Sequence, residues 1–334
     1  MILNEKTKAG PILLSHWVGR FGNRMHQYAY GNTYSHINNV KFILPSEWEG
    51  TYLFKNKKYK ILDNSNLASA LNTGSLNIQQ ITEEIKKYYP DAKLINPELH
   101  PENYSKHDSL VYFDNICAYG DHIFKKMDKS FLIELFEFSD LVKNTESYKY
   151  WESRKEKYDI AHLRRDDIAN AHYNKTNHQG YSVVSMNSYY KAFKKFGYDK
   201  NSIEWVSDDH SQKWHKEKKP SIRLPWSYPT GSYYREDVVF DWLEDFLKLY
   251  FARTIFRANS SFSWWASFLS PKAKVYSPVL DKQLIYGVDD RFEEIDVDFV
   301  EGNEPHWIYS RDGLKKIIIK ENKNQKEKIF KLFI

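Results

Sequence analysis

The stretch Tyr158-Asp159-Ile160-Ala161-His162-Leu163-Arg164-Arg165-Asp166-Asp167-Ile168 changes character halfway along. Its first half reads as a short buried strand. Its second half is charged, the pattern expected where a strand of an α/β sheet delivers side chains to a site at its carboxyl end. A guanidinium keeps its proton and makes planar, paired hydrogen bonds to phosphate or carboxylate, so Arg164 and Arg165 suit a diphosphate. The same residues also fit a surface ion-pair cluster with Asp166 and Asp167.

Strand and helix signals alternate along the rest of the chain. Residues 11–17 read as a strand, followed by Val18-Gly19-Arg20-Phe21-Gly22-Asn23-Arg24-Met25 and a helical pattern through His26, Tyr30 and Tyr34. Glycines in such a turn allow positive φ and close approach of backbone to a ligand, and the amides of the following helix favour an anion; a lone GxxGN is equally a plain tight turn. Residues 41–44 give a second strand before Pro45, and the longest helical pattern up to Tyr150 covers 81–88. Beyond the charged stretch 143–157 come a helix at 188–196, strands at 202–206 and 221–224, and a helical pattern over 235–250. A strand at 254–257 and a helix opened by Asn259-Ser260-Ser261-Phe262-Ser263-Trp264-Trp265 and closed by Pro271 follow, then a strand at 274–276 stopped at Pro278. This alternation predicts parallel sheets with helices on both faces. Its presence in both halves predicts two Rossmann-like doubly wound α/β domains facing a cleft, residues 1–150 and 151–310, with a basic helix or tail at 311–334.

Composition narrows the function classes. In 334 residues there are 25 Tyr, 20 Phe and 10 Trp, which excludes a disordered chain and provides flat amphipathic surfaces on which sugar rings can stack, as well as core. The net charge of +5 belongs to residues 315–334, where seven Lys meet two Glu, leaving 42 basic and 42 acidic residues elsewhere. That balance argues against nucleic acid as a partner. The tail reads as the solvated face of an amphipathic helix over Leu314, Ile317, Ile318 and Ile319, with weak contact to an anionic membrane surface as the alternative. Cys117 stands alone, so neither an intramolecular disulfide nor a cysteine-based zinc site is available. With Ile12-Leu13-Leu14 interrupted by Ser15 and His16, and no run of about 18 apolar residues, the expectation is a soluble, cytoplasmic protein.

In doubly wound sheets, ligands bind beyond the carboxyl ends of the strands. The segments 162–165, 207–209 and 259–263 all hold that position, so they are expected to line one mouth of the second domain. Asn259, Ser260 and Ser261 at a helix start offer hydroxyls and backbone amides to an anion, or else simply cap a Trp-rich helix. Asp208 and Asp209 can accept hydrogen bonds from a guanine edge or a ribose, or cap the next helix. Paired Asp can hold a metal, but neither their spacing nor His210 completes a ligand set, so no metal is expected.

Taken in order, Gly19-Arg20-Phe21-Gly22-Asn23, His162-Leu163-Arg164-Arg165-Asp166-Asp167, Tyr189-Tyr190, Val206-Ser207-Asp208-Asp209, Glu236-Asp237 and Asn259-Ser260-Ser261-Phe262-Ser263-Trp264-Trp265 resemble the alpha-1,2-fucosyltransferases and the wider group that includes alpha-1,6- and protein O-fucosyltransferases. The resemblance runs over residues 13–278. It implies a GT-B fold, a GDP-fucose donor, a glycan acceptor, inversion at the anomeric carbon, and no metal or other cofactor. By position it implies that Arg164 or Arg165 grips the diphosphate and stabilises the leaving group, with His162 beside it. Gly22 and Asn23 would sit across the cleft near phosphates and acceptor, in an acceptor-side first domain, and Ser260, Ser261 and Phe262 would hold phosphate or nucleotide. Two departures stand out: Asp166 where the family usually has glycine, and Arg257 where it usually has an apolar residue.

Departure of GDP separates a positive, oxocarbenium-like sugar from a negative phosphate, and arginines with helix-terminus amides can neutralise that charge without magnesium. Deprotonating the acceptor hydroxyl calls for a carboxylate or imidazole on the opposite face, for which Asp167 and His16 are the candidates. Asp166 keeps two alternatives open: the same fold with a different nucleotide sugar, and a glycan-binding relative without catalysis.

Overall fold

The computed structural model describes residues 10–73, 76–96, 107–114, 127–164, 186–207, 226–227, 234–235, 240–258, 260–278 and 292–295. The chain divides into two compact units, Met1–Lys149 with Pro220–Glu244, and Tyr150–Lys219 with Asp245–Ile334. Each contains a five-stranded parallel sheet. The α/β class with two Rossmann-like, doubly wound units is therefore the one the sequence pattern calls for.

In the first unit, β1 (Ile12–Leu14) leads into α1 (Phe21–Asn38), then β2 (Phe42–Leu44), α2 (Gly50–Leu53), β3 (Lys60–Ile61), α3 (Ser65–Asn72), α4 (Ile78–Tyr88), β4 (Lys93–Leu94) and β5 (Val111–Phe113). Three further helices follow, α5 (Lys129–Leu135), α6 (Asp140–Lys143) and α7 (Glu146–Ser153), the last crossing into the second unit. The strand order is β3-β2-β1-β5-β4. Leu13 and Tyr112 face α3 and α4 in a cluster with Leu67, Leu71, Ile81 and Ile85. Phe42 and Phe113 meet Tyr28 and Tyr30 of α1 on the opposite face, with Tyr30 and Phe113 ring centroids 5.2 Å apart.

Local chemistry sets the helix limits. Asn77 and Gln80 form a reciprocal capping box at the start of α4. At the end of α1, Asn39 takes the left-handed conformation at φ 52°, and the Val40 amide returns to the Ser35 carbonyl at 3.0 Å. Gly31 is where α1 touches the sheet, since a Cβ there would lie 2.2 Å from the Phe42 ring.

The second unit runs β6 (Asp159–Leu163), α8 (Met186–Phe196), β7 (Glu204–Ser207), then β8 (Trp226–Ser227) and β9 (Tyr234–Arg235), which belong to the first unit by contact. It resumes through α9 (Asp241–Tyr250), within which the unit boundary falls, and continues with β10 (Thr254–Phe256), α10 (Ser261–Leu269), β11 (Lys274–Pro278) and β12 (Phe292–Ile295). The sheet order is β12-β11-β10-β6-β7. Ala161, Leu163, Phe256 and Tyr276 pack with Tyr189 and Phe193 of α8 on one face. Residues of opposite parity, His162 among them, look to the face where Phe262 of α10 meets Phe246 of α9.

Several boundaries differ from the sequence pattern. The first strand stops at Leu14, leaving His16 and Trp17 in the following loop, although the Ser15 amide still reaches the Phe113 carbonyl at 2.8 Å. Arg235 is not helical: it pairs with Trp226 in the antiparallel β8–β9 ladder, where aromatic residues favour extended backbone, and the helix starts at Asp241. The strand ending at Pro278 includes that proline as its last residue, where a missing amide donor is tolerated. The strand expected at 221–224 and the basic tail at 311–334 lie outside the described residues.

Replacing Gly31 with alanine should drive a methyl group into the Phe42 ring and lower stability by about 1–3 kcal/mol, the usual cost of overpacking a filled core. Urea unfolding followed by far-UV circular dichroism measures it, and an unchanged midpoint would show that the contact yields without cost.

Candidate functional site

The order of the second sheet, written in chain order within that unit, is 2-1-3-4-5. Its first strand, β6, connects to one side and its third, β10, to the other, so the topological switch point lies between β6 and β10. In doubly wound sheets this is where a crevice opens beyond the strand ends. The residues that follow these two strands therefore decide what the unit can bind.

Beyond β6 stands Arg164, half-buried, and beyond β10 come Arg257, Ala258 and Ser260. The register pairs Phe256 with Ala161, which puts Arg257 level with His162 and on the same face of the sheet. Both side chains are buried. Arg257 donates from Nη1 to Ser277 Oγ on the next strand at 2.6 Å, so a cation is built into the carboxyl edge of the sheet. Tyr189 of α8 ties the two strand ends together from the other face: its hydroxyl donates to the His162 carbonyl at 2.6 Å and lies 3.3 Å from the Arg257 carbonyl.

The start of α10 completes this edge. Ser260 is its N-cap, with extended backbone and Oγ accepting from the Phe262 amide at 3.2 Å. Ser263 Oγ turns back towards the carbonyls of Ala258 and Ser260 at 3.4 and 3.3 Å, fixing the turn that leads into the helix. The Phe262 ring lies 5.8 Å from the His162 ring, so the helix start and the end of β6 are in contact. The positive end of a helix dipole, a buried guanidinium and a half-buried guanidinium are thus carried on adjacent strand ends.

The amino edge of the same sheet gives a contrast. There Arg253 makes a two-point bond to Asp159, with Nε to Oδ1 at 2.9 Å, and Arg154 stacks over Trp151 and Tyr158 while bonding Glu204. Lys248 also reaches Glu204, at 2.9 Å. Cations at that edge meet carboxylates and aromatic faces in structural pairs.

The first unit has its own carboxyl edge. Gly19 sits at φ +65°, and a Cβ there would lie 2.3 Å from Asn23 Nδ2, so the turn requires glycine for both conformation and space. Gly22 is buried in the first turn of α1 and Asn23 is half-buried. Buried Gln27 braces the loop from inside, accepting from the Val18 amide and donating to the His16 carbonyl, both at 3.0 Å. His16 Nδ1 lies 2.9 Å from Ser15 Oγ. Burial holds the imidazole below its ordinary pKa, while Asp114, just beyond the neighbouring strand β5, pulls it partly back up.

Of the residues expected at the site, His162, Arg164, Ser260, Ser261 and Phe262 are placed at the switch point of the second sheet, and Gly22 and Asn23 at the turn into α1 of the first unit. Arg165, Asp166, Asp167, Asp208, Asp209 and Asn259 lie outside the described residues. Sequence reasoning assigned no role to Tyr189, Gln27 or Asp114. Asp114 follows the apolar run Leu110-Val111-Tyr112-Phe113, and an acidic residue directly after such a run is the signal that could have found it. Among the described residues no three His, Cys, Asp or Glu side chains gather as a metal cage would need, and no helix is long and apolar enough to cross a membrane.

No protein-family model matches the chain, and no curated protein does. Among solved structures, it is similar to an Arabidopsis thaliana FUT1 mutant in complex with GDP, at 11% identity and a TM-score of 0.42 over 87% of this chain and 73% of that one. It is also similar to POFUT1 in complex with GDP-fucose, at 12% identity and a TM-score of 0.41 over 80% and 97% of the two chains. For fucosyltransferase NodZ from Bradyrhizobium the figures are 9% identity and 0.42, over 78% and 94%. Likeness at this level does not carry an activity from one chain to another.

Tyr189→Phe removes the hydroxyl that joins the two strand ends and should cost about 1–2 kcal/mol, since it leaves buried carbonyls without their donor. Denaturant titration measures it. For His16 the folded pKa lies below the unfolded value near 6.5, so below that pH the unfolded chain binds the extra proton and stability falls as pH drops. His16→Asn should flatten this part of the stability profile between pH 7 and the folded pKa; an unchanged slope would remove His16 as its source.

Proposed function

We propose that the chain is an inverting glycosyltransferase that moves fucose from GDP-fucose to a hydroxyl of a glycan, forming an alpha-1,2 linkage, with no metal ion taking part. The observation that carries this reading is the meeting of His162-Leu163-Arg164 with Ser260-Ser261-Phe262 on the two strands that flank the switch point of the second sheet. Those are the segments through which the chain resembles the fucosyltransferase group. An arginine beside a serine-capped helix start is suited to the pyrophosphate of a sugar nucleotide.

In this reading the acceptor oxygen attacks the anomeric carbon as its bond to the β-phosphate oxygen breaks, and that electron pair leaves with GDP. Arg164 and Arg165 neutralise the departing phosphate, with His162 beside them. Asn259, Ser260 and Ser261 hold phosphate oxygens, Phe262 lies against the nucleotide, and Asp208 and Asp209 accept hydrogen bonds from guanine or ribose. Gly22 and Asn23 act from the first domain, residues 1–150, on the acceptor side; the donor belongs to residues 151–310. Asp167 and His16 are the candidates for the base that takes the acceptor proton. Preorganised charge of this kind is worth more than the same groups in water because it need not reorganise as the bond breaks.

A second reading keeps the fold and changes the donor. It is favoured by the buried Arg257 level with His162 and by Asp166, each standing where the family has a different kind of residue. A thermal-shift series with GDP-fucose, GDP-mannose and UDP-sugars separates the two, because the true donor raises the melting temperature in proportion to its affinity.

Arg164→Ala and Arg165→Ala should each leave the fold intact and reduce transfer by roughly 10²–10³-fold, the scale of losing one charge-stabilising group at a departing oxygen. Full transfer activity in both variants, with GDP release as the readout, would refute the assignment.

A further inference from the structure

Arg257 stands at the carboxyl edge of the second sheet, and the transfer step above gives it no part. With His162 on β6 and Ser277 on β11 it makes a row of three buried polar side chains, level with one another on one face of three adjacent strands. All three belong to the second unit, as does Ser260. The Arg257 backbone is held from two sides: its amide donates to the Tyr276 carbonyl at 2.8 Å, and the Tyr189 hydroxyl lies 3.3 Å from its carbonyl. Ser277 Oγ, 2.6 Å from Nη1, fixes the guanidinium as well. The Ser260 amide returns to the Ala258 carbonyl at 3.0 Å, so the chain turns at once and α10 starts close by.

Three residues of chain span at most about 11 Å and paired strands lie about 5 Å apart, so an anion seated between the end of β6 and Ser260 comes within roughly 10 Å of Arg257. A full charge needs no contact to act over that range. Between partly buried groups it is weakly screened, and its attraction grows with the charge of the ligand. The helix start offers only partial charges, whose effect fades within the first turn. We propose that Arg257 is a specificity-determining residue, whose fixed charge makes the switch point of the second sheet select nucleoside diphosphates over nucleoside monophosphates.

This rests on the nucleotide-binding part of the reading above, and it holds for either donor because the sugar beyond the diphosphate does not enter it. Arg257 acts through its field on the ligand and not by bonding to the reacting atoms, which makes it a positioning residue. GDP carries more negative charge than GMP at neutral pH, so the two nucleotides feel that field unequally.

Isothermal titration of the full chain with GDP, GMP and guanosine tests the proposal, with UDP and UMP as a second pair. The wild type should bind a diphosphate more tightly than the matching monophosphate. Arg257→Met, which keeps an unbranched side chain and removes the charge, should shrink that preference by about 10-fold, the effect of a unit charge at this range, with guanosine affinity unchanged. Arg257→Lys returns the charge and should restore most of the preference. A purely structural loss would weaken all the ligands together and would not follow charge. Ser277→Ala keeps the charge but releases its anchor, and should shrink the preference by a smaller factor; should Arg257→Met fail to fold, an undiminished preference in Ser277→Ala overturns the proposal. An undiminished preference in Arg257→Met, or a lysine variant no better than the methionine one, would also overturn it while leaving the nucleotide site standing. A wild type that binds neither diphosphate would instead sink the nucleotide reading, and the part of Arg257 with it.

Discussion

The second unit depends on the pairing of β6 with β10. These strands are far apart in sequence, and their parallel hydrogen bonding places the ends of two unrelated segments side by side. Their connections leave in opposite directions, the arrangement at which a crevice opens beyond the strand ends in doubly wound sheets. The Tyr189 hydroxyl, joined to both strand ends from behind, keeps the edge from opening.

The two edges of this sheet carry different groups. At the amino edge, each arginine stands opposite a carboxylate or over an aromatic face: Arg253 with Asp159, Arg154 with Glu204 and three rings. At the carboxyl edge the buried Arg257 is bonded to a neutral serine hydroxyl. A buried guanidinium raises the local potential, and the helix start after Ser260 adds to it in the same direction. An anion brought to that edge meets fixed donors that need little rearrangement.

Much of the second unit could be read directly. An apolar run that turns charged at His162-Leu163-Arg164, and Asn-Ser-Ser ahead of a Trp-rich helix, are signals that depend on near neighbours, and the structure holds both as a strand end and a serine-capped helix. What could not be read depends on distant partners. Nothing near Tyr189 indicates that its hydroxyl meets carbonyls 27 and 68 residues away. The strands β3 and β4 are only two residues long, with Lys60, Lys93 and Leu94 exposed, so they have no alternation to recognise. The strand β5 is no shorter than β1, and the apolar run Leu110-Val111-Tyr112-Phe113 ahead of Asp114 is a local signal that could have found it. The helical period through Arg235 misled because Trp, Tyr and Phe fit both a helix face and a strand, and the β8–β9 pairing decided the matter.

The central claim is that a nucleoside diphosphate seats where β6 and β10 end and α10 begins. Amide hydrogen exchange on the intact protein, with and without GDP, tests it most directly. The account predicts slower exchange on GDP binding at Leu163 and Arg164 and at Ser261, Phe262 and Ser263, with the Arg253–Asp159 edge unchanged. Binding of GDP with no protection in either segment would contradict it.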